Sequence, residues 1–273
     1  MITNRRTHLF ALGGLLIRPS VAGFLAEPDF SKYSDIQKEM LLRVGVIVST
    51  ASIDQGVTKP IKAQIRLKDA THAAQIQTVN RALPDFFGED GTVVHMYDSY
   101  RFNVAAYRID RLIKLNMVAV AVARRYNGKP AAFSWWVDDV KGDELQRIEE
   151  KWTPPDPEAF ERQRALTRVF DELIINIDRN SGNLLITRSW DLALIDHSRS
   201  FNPYHNIRNR SNLTRCSRAL LASMSALTVR TVTAAVQDLL TGEEIAGVIA
   251  RRDRIVEFFK EQGRREGEEN VFF

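Results

Sequence analysis

The sequence predicts an α+β chain in two lobes, a small β-rich first half followed by a mostly helical second half. Three observations carry this. Residues 61–68 alternate apolar Ile61, Ala63, Ile65 and Leu67 with polar Lys62, Gln64, Arg66 and Lys68, the period of a half-buried strand. Asn127-Gly128 lies between two apolar runs, the strongest short hairpin signal. Beyond Pro157 the apolar period is largely helical, interrupted by one short segment that reads as a hairpin. A length of 273 residues, with 44% hydrophobic and 26% charged side chains, is enough to bury a sizeable core, as one large domain or two lobes.

Taken in order, the N-terminus opens with Arg5-Arg6 and an apolar stretch from Leu9 to Ile17, interrupted by Arg18 and Pro19. A secretory signal fits, with Val21-Ala22-Gly23 as small residues for cleavage, and so does a packed N-terminal helix. The cytoplasm is the favoured compartment, with export the alternative. Ser34 and Gln37 make a capping box for a short helix through Arg43, which closes an N-terminal segment of residues 1–44. Strands are expected at 46–49 and 61–68, and another around Ala74, Ile76 and Thr78, with a turn at Asp54-Gln55-Gly56. Phe102, Ala105, Ala106, Ile109, Leu112 and Ile113 recur at helical spacing over 100–114. Two strands, 117–124 and 131–137, then flank Asn127-Gly128.

The composition shifts at Trp152-Thr153-Pro154-Pro155, where Asp156 can cap a helix with Pro157 at its first position. That helix has an apolar face running through Phe160, Leu166, Val169, Phe170, Leu173, Ile174 and Ile177. Thr241 and Glu244 form a further capping box ahead of Ile245, Val248, Ile249, Ile255, Val256 and Phe259. The lobes are therefore expected at 45–140 and 141–273, with a cleft between them.

Several function classes are disfavoured. A net charge of +4 spread along the chain, without a basic stripe, argues against nucleic acid as a partner. Cys216 is the sole cysteine, which excludes an intrachain disulfide and a cysteine zinc site. Beyond the N-terminal stretch, no segment approaches the roughly 18 apolar residues of a membrane span.

The informative segment is "NIDRNSGNLLITRSWDLALIDHS", residues 176–198. Asp and Asn commonly punctuate turns, and that is the plainer reading of Asp178, Asn183 and Asp196. The hairpin argues otherwise. If 184–187 and 192–195 pair antiparallel, Asn183 just before the first strand and Asp196 just after the second emerge at one end. Asp178 lies five residues upstream, where a long helix ends. Three oxygen-bearing side chains then converge on one rim, and Asp-x4-Asn is the spacing of a kinase catalytic loop.

Here the sequence resembles the atypical kinases of the protein-kinase-like superfamily, including phosphatidylinositol 3- and 4-kinases, HipA-type kinases and secretory-pathway kinases. "DRNSGN" resembles their DRHxxN loop and "LIDHSRSF" their metal-binding IDFG segment. Residues 45–140, with "SWWVDDV", resemble an N-lobe ending in an interlobe hinge. The resemblance implies a bilobal protein-kinase-like fold with ATP near Trp135, Trp136 and Val137. It implies Asp178 as the catalytic acid/base, and Asn183 and Asp196 as ligands of Mg²⁺ or Mn²⁺. It also implies a Lys on the third strand and a Glu on the following helix, where this chain offers Gln77 and Asn103. Gly56 is the single glycine of the expected phosphate loop, and Lys62, Lys59 or Arg66 are the candidates to supply the missing charge.

The function expected is an ATP- and metal-dependent phosphotransferase acting on a hydroxyl acceptor. Two alternatives stay open because of the altered Lys and Glu positions. One is a catalytically inactive kinase-like nucleotide-binding or scaffold module, the other a nucleotidyltransferase on the same fold.

Overall fold

The computed structural model describes residues 29–53, 60–87, 91 and 93–273. The signal-like stretch, Gly56 and Lys59 lie outside the described residues. The first helix, α1 (Asp35–Val44), starts at the expected capping box of Ser34 and Gln37. The strands β1 (Val46–Ser52), β2 (Ile61–Leu67) and β3 (Ala70–Gln77) form an antiparallel meander. A separate two-stranded ribbon follows, β4 (Asn80–Phe87) and β5 (Val93–Ser99), leading directly into α2 (Tyr100–Leu112). Next come β6 (Ala121–Tyr126) and β7 (Lys129–Trp135), joined at Asn127-Gly128, where both residues have positive φ as the two-residue hairpin turn requires. The main sheet has the order β1-β2-β3-β7-β6.

Register assigns its two faces. Ala63, Ile65, Ala74, Ile76 and Phe133 share one face and are fully buried. Lys62, Gln75, Gln77, Ala132 and Ser134 share the other.

The chain then forms β8 (Val140–Asp143), α3 (Glu144–Glu149) and α4 (Pro157–Ile174), the last capped by Asp156 with Pro157 in its first turn. A short sheet combines β8 with β9 (Leu184–Thr187) and β10 (Leu192–Leu194). Helices α5 (Arg218–Ser225), α6 (Val229–Val236), α7 (Gly242–Glu266) and α8 (Glu268–Val271) complete the helical part. The expected box of Thr241 and Glu244 caps α7. One contiguous set of buried apolar side chains runs from Leu41 through Phe133 to Phe272. Among the described residues no single helix is long and apolar enough to cross a membrane.

Three local expectations are corrected. The strand expected from Met117 begins only at Ala121, because Met117 and Val118 give their N–H groups to buried Asp110, at 3.0 and 3.2 Å. That stretch pairs with β10 instead, through Leu194 N–H to Met117 and Ala119 N–H to Leu194. The helix with an expected apolar face through Ile177 stops at Ile174, where Ile175 takes a left-handed conformation with φ 48°. Thr78, expected in the third strand, lies beyond its end at Gln77.

Candidate active site

The site is built where α4 ends. The left-handed Ile175 turns the chain, and Asn176 then fixes the next residues: its Oδ1 accepts the Asp178 N–H at 3.0 Å and its Nδ2 donates to Asp171 at 3.1 Å. Asn180 caps a single 3₁₀ turn, Ser181–Asn183, by accepting the Gly182 N–H. That turn brings Asn183 back so that its Nδ2 donates to the Asp178 carbonyl at 3.2 Å, turning its Oδ1 away from that carbonyl. Leu184 pairs with Leu194 across β9 and β10, and the Ile195 N–H donates to the Asn183 carbonyl at 3.3 Å. Asn183 and Asp196 thus leave the hairpin at the same end. Asp196 is left-handed, with φ 49°.

Two backbone straps close the arrangement. Ile177 N–H donates to Arg199 at 3.2 Å and Phe201 N–H to Ile174 at 2.6 Å, so the segments on either side of the hairpin run alongside each other. Arg251 of α7 reinforces them from beneath. It is fully buried and donates to the carbonyls of Leu173, Asn202 and Tyr204, joining the end of α4 to the stretch after Asp196. Gly247, one turn earlier on α7, permits the close approach: a β-carbon there would lie 3.3 Å from the Asn202 carbonyl oxygen.

Charge is concentrated on the rim. Burial raises the Asp178 carboxyl above its ordinary value, Asp196 and Asp98 push it the same way, and Arg199 opposes them. Arg199 bridges Asp178 at 3.3 Å and Asp98 at 3.4 Å. Arg179 is committed to the framework, donating to Asp171, to the carbonyls of Asn183 and Ile195, and to His197 Nε2 at 2.8 Å. A guanidinium can only donate, so His197 accepts through Nε2 and is neutral.

Burial, with Arg179 adding to it, holds His197 well below the ordinary imidazole value. The unfolded ring protonates near pH 6.5 and the folded one only at lower pH, so in between the unfolded chain binds more protons. The stability contributed is complete above about pH 6.5 and falls as pH drops below it. Unfolding temperatures measured from pH 7.5 to 5.5 should therefore decline, and His197→Gln should flatten the decline. An unchanged slope in the variant would remove His197 as its cause.

The sheet contributes a chain of amides. Gln77, at the end of β3, accepts a hydrogen bond from Asn103 Nδ2, and Asn103 Oδ1 accepts the His197 N–H at 2.7 Å. Gln77 and Asn103, at the positions where the resemblance implies a Lys and a Glu, thus meet, and they connect β3 and α2 to the residue after Asp196.

Trp135 is a correction. Expected near the nucleotide only if it, rather than Trp136, faces the cleft, it lies instead on the packed face, stacked on His72 with ring centroids 3.6 Å apart and donating Nε1 to Asp138 at 2.8 Å. Adjacent strand positions face opposite ways, so Trp136 takes the other side. It is partly exposed beneath the Lys62 ammonium, which lies 4.0 Å from the ring centroid, on the face that also bears Gln77. Val137 is half-buried in the segment joining β7 to β8. Arg66 is exposed at the far end of β2, opposite Thr71.

Among the described residues no three His, Cys, Asp or Glu side chains gather as a cation cage. Beside the Asp178 carboxylate, the rim offers a second carboxylate, Asp196, and one amide oxygen, Asn183. That set suits Mg²⁺ or Mn²⁺, hard ions whose shell water and phosphate oxygens complete. Sequence reasoning missed Asp98, the fully buried end of the ribbon, and Arg251; neither lies in a motif, and only the fold brings them to the site.

No family model and no curated protein matches the sequence. Solved structures do. The structure of hydra Fam20 with sugar superposes with a TM-score of 0.67 at 12% identity, covering 87% of this chain and 91% of that one. The Golgi casein kinase with Mn/ADP bound gives 0.61 at 12% identity, covering 88% and 80%. The Helicobacter pylori proinflammatory kinase CtkA gives 0.51 at 10% identity, covering 82% and 98%. The chain has the fold of the atypical, secretory-pathway-like kinases, a small β-rich lobe on a helical one.

Proposed function

We propose that the protein is a phosphotransferase that uses ATP with Mg²⁺ or Mn²⁺ and acts on a hydroxyl acceptor. The observation that carries this reading is the gathering of Asp178, Asn183 and Asp196 on one rim by the α4 turn, the β9–β10 hairpin and the two straps. Asp178 takes the proton of the acceptor hydroxyl as its oxygen attacks the terminal phosphorus, and the bridging P–O bond to the leaving diphosphate breaks. Asn183 and Asp196 hold the divalent ion, which when bound neutralises charge on the phosphate oxygens. Gln77 and Asn103 orient β3 and α2 against the loop after Asp196. Trp136 and Val137 line the adenine side, beneath the sheet face that carries Lys62.

The neutral Gln77–Asn103 pair favours a second reading, a kinase-like module that binds nucleotide without turning it over. A thermal-shift panel separates the outcomes. Under the first reading ATP and ADP raise the unfolding temperature only with Mg²⁺ or Mn²⁺, and labelled phosphate leaves ATP. Metal-dependent shifts without turnover would favour the second. No shift with any nucleotide would remove both.

A further inference from the structure

A nucleotide triphosphate brings several negative charges, yet the strand position where the resemblance implies a lysine carries neutral Gln77. Arg179 is fully engaged by Asp171, two carbonyls and His197. Lys62 stands over Trp136, opposite Gln75 rather than on the rim. Arg199 differs from both. It is a quarter exposed, it touches Asp178 itself, and its contacts of 3.3 and 3.4 Å are longer than the 2.7–2.9 Å of firm charge-assisted bonds. Asp98 is fully buried, with Oδ1 receiving no hydrogen bond, and it also holds Arg81 at 3.2 Å. A buried carboxylate needs a cation, and Asp98 has two, so it keeps Arg81 if Arg199 turns away.

We propose, resting on the phosphotransferase reading, that Arg199 is the phosphate-binding cation of this site. It exchanges between Asp178 without nucleotide and the triphosphate with it, while Asp98 keeps Arg81 as its cation. The exchange has a second effect. Arg199 neutralises Asp178 while the site is empty of phosphate, and its departure uncovers the base only when the phosphate donor is present.

Direct titration of ATP and of adenosine, each with Mn²⁺, tests this on the full chain. Arg199→Gln should weaken ATP by about tenfold or more while leaving adenosine within about twofold. Arg199→Lys, which keeps the charge, should recover most of the loss. Asp178→Asn should tighten ATP several-fold by releasing Arg199, and combining it with Arg199→Gln should cancel that gain. Unchanged ATP affinity in Arg199→Gln, or equal losses of ATP and adenosine, would overturn the proposal. It would leave the phosphotransferase reading standing if the unaltered protein binds Mn²⁺–ATP and turns it over. No ATP binding by the unaltered protein would overturn both.

Discussion

Asp178→Asn is expected to lower phosphate transfer by about 100- to 10,000-fold, the range a positioned general base contributes. The local frame survives the change, because Asn176 and Asn183 hold residue 178 through its backbone N–H and carbonyl rather than its carboxylate. Folding and metal-dependent nucleotide binding should therefore persist while turnover disappears. The side chain is also close to isosteric, so the changes are loss of the basic oxygen and of the charge that pairs with Arg199. Rates of labelled phosphate transfer, set beside nucleotide affinity from the same preparation, give the comparison. A variant with turnover within a few-fold of the unaltered protein would remove Asp178 from the chemistry.

Arg251→Met is expected to destabilise the protein by about 3–5 kcal/mol, among the largest single-site effects in the helical part. Three carbonyls, of Leu173, Asn202 and Tyr204, lose their buried donor together. Each uncompensated group costs about 1–3 kcal/mol, and the methionine returns some of that through apolar packing. For a chain of this size the unfolding temperature should fall by about 10 °C. The damage should also be directional: with the tie between α4 and the stretch after Asp196 cut, nucleotide affinity should fall at temperatures where the variant is still folded. A fall of under about 2 °C would show that the straps hold without Arg251.

The sequence made most of the candidate rim legible and much less of its supports. Asp178, Asn183 and Asp196 could be placed because a hairpin has only one geometry: residues flanking it must emerge together. The capping boxes at Ser34 and Thr241 and the turn at Asn127-Gly128 were readable for a similar reason, since each is a local rule satisfied by a few adjacent residues. The ribbon of β4 and β5 was not. Phe87, Val93 and Tyr97 are exposed, Pro84 interrupts β4, and the inward positions of β5 pair Met96 with the charged Asp98, so no apolar alternation marks the ribbon. Adjacent strand positions face opposite ways, but nothing local told which of Trp135 and Trp136 met His72. Arg199 stands in the segment "LIDHSRSF", three residues after Asp196. Asp98 became visible only when the fold laid the end of the ribbon against it, through the Ser99 N–H to the Ser198 carbonyl at 2.7 Å.

The central claim is that Asp196 and Asn183 hold a divalent ion that meets nucleotide phosphates beside Asp178. Crystals grown with ADP and Mn²⁺, measured at the manganese absorption edge, test it most directly. The predicted result is an anomalous peak within coordination distance of the Asp196 carboxylate and the Asn183 amide oxygen, with a diphosphate oxygen in the same shell. An ion bound elsewhere while the rim stays unliganded, or a diphosphate lying away from Asp196, would contradict the account.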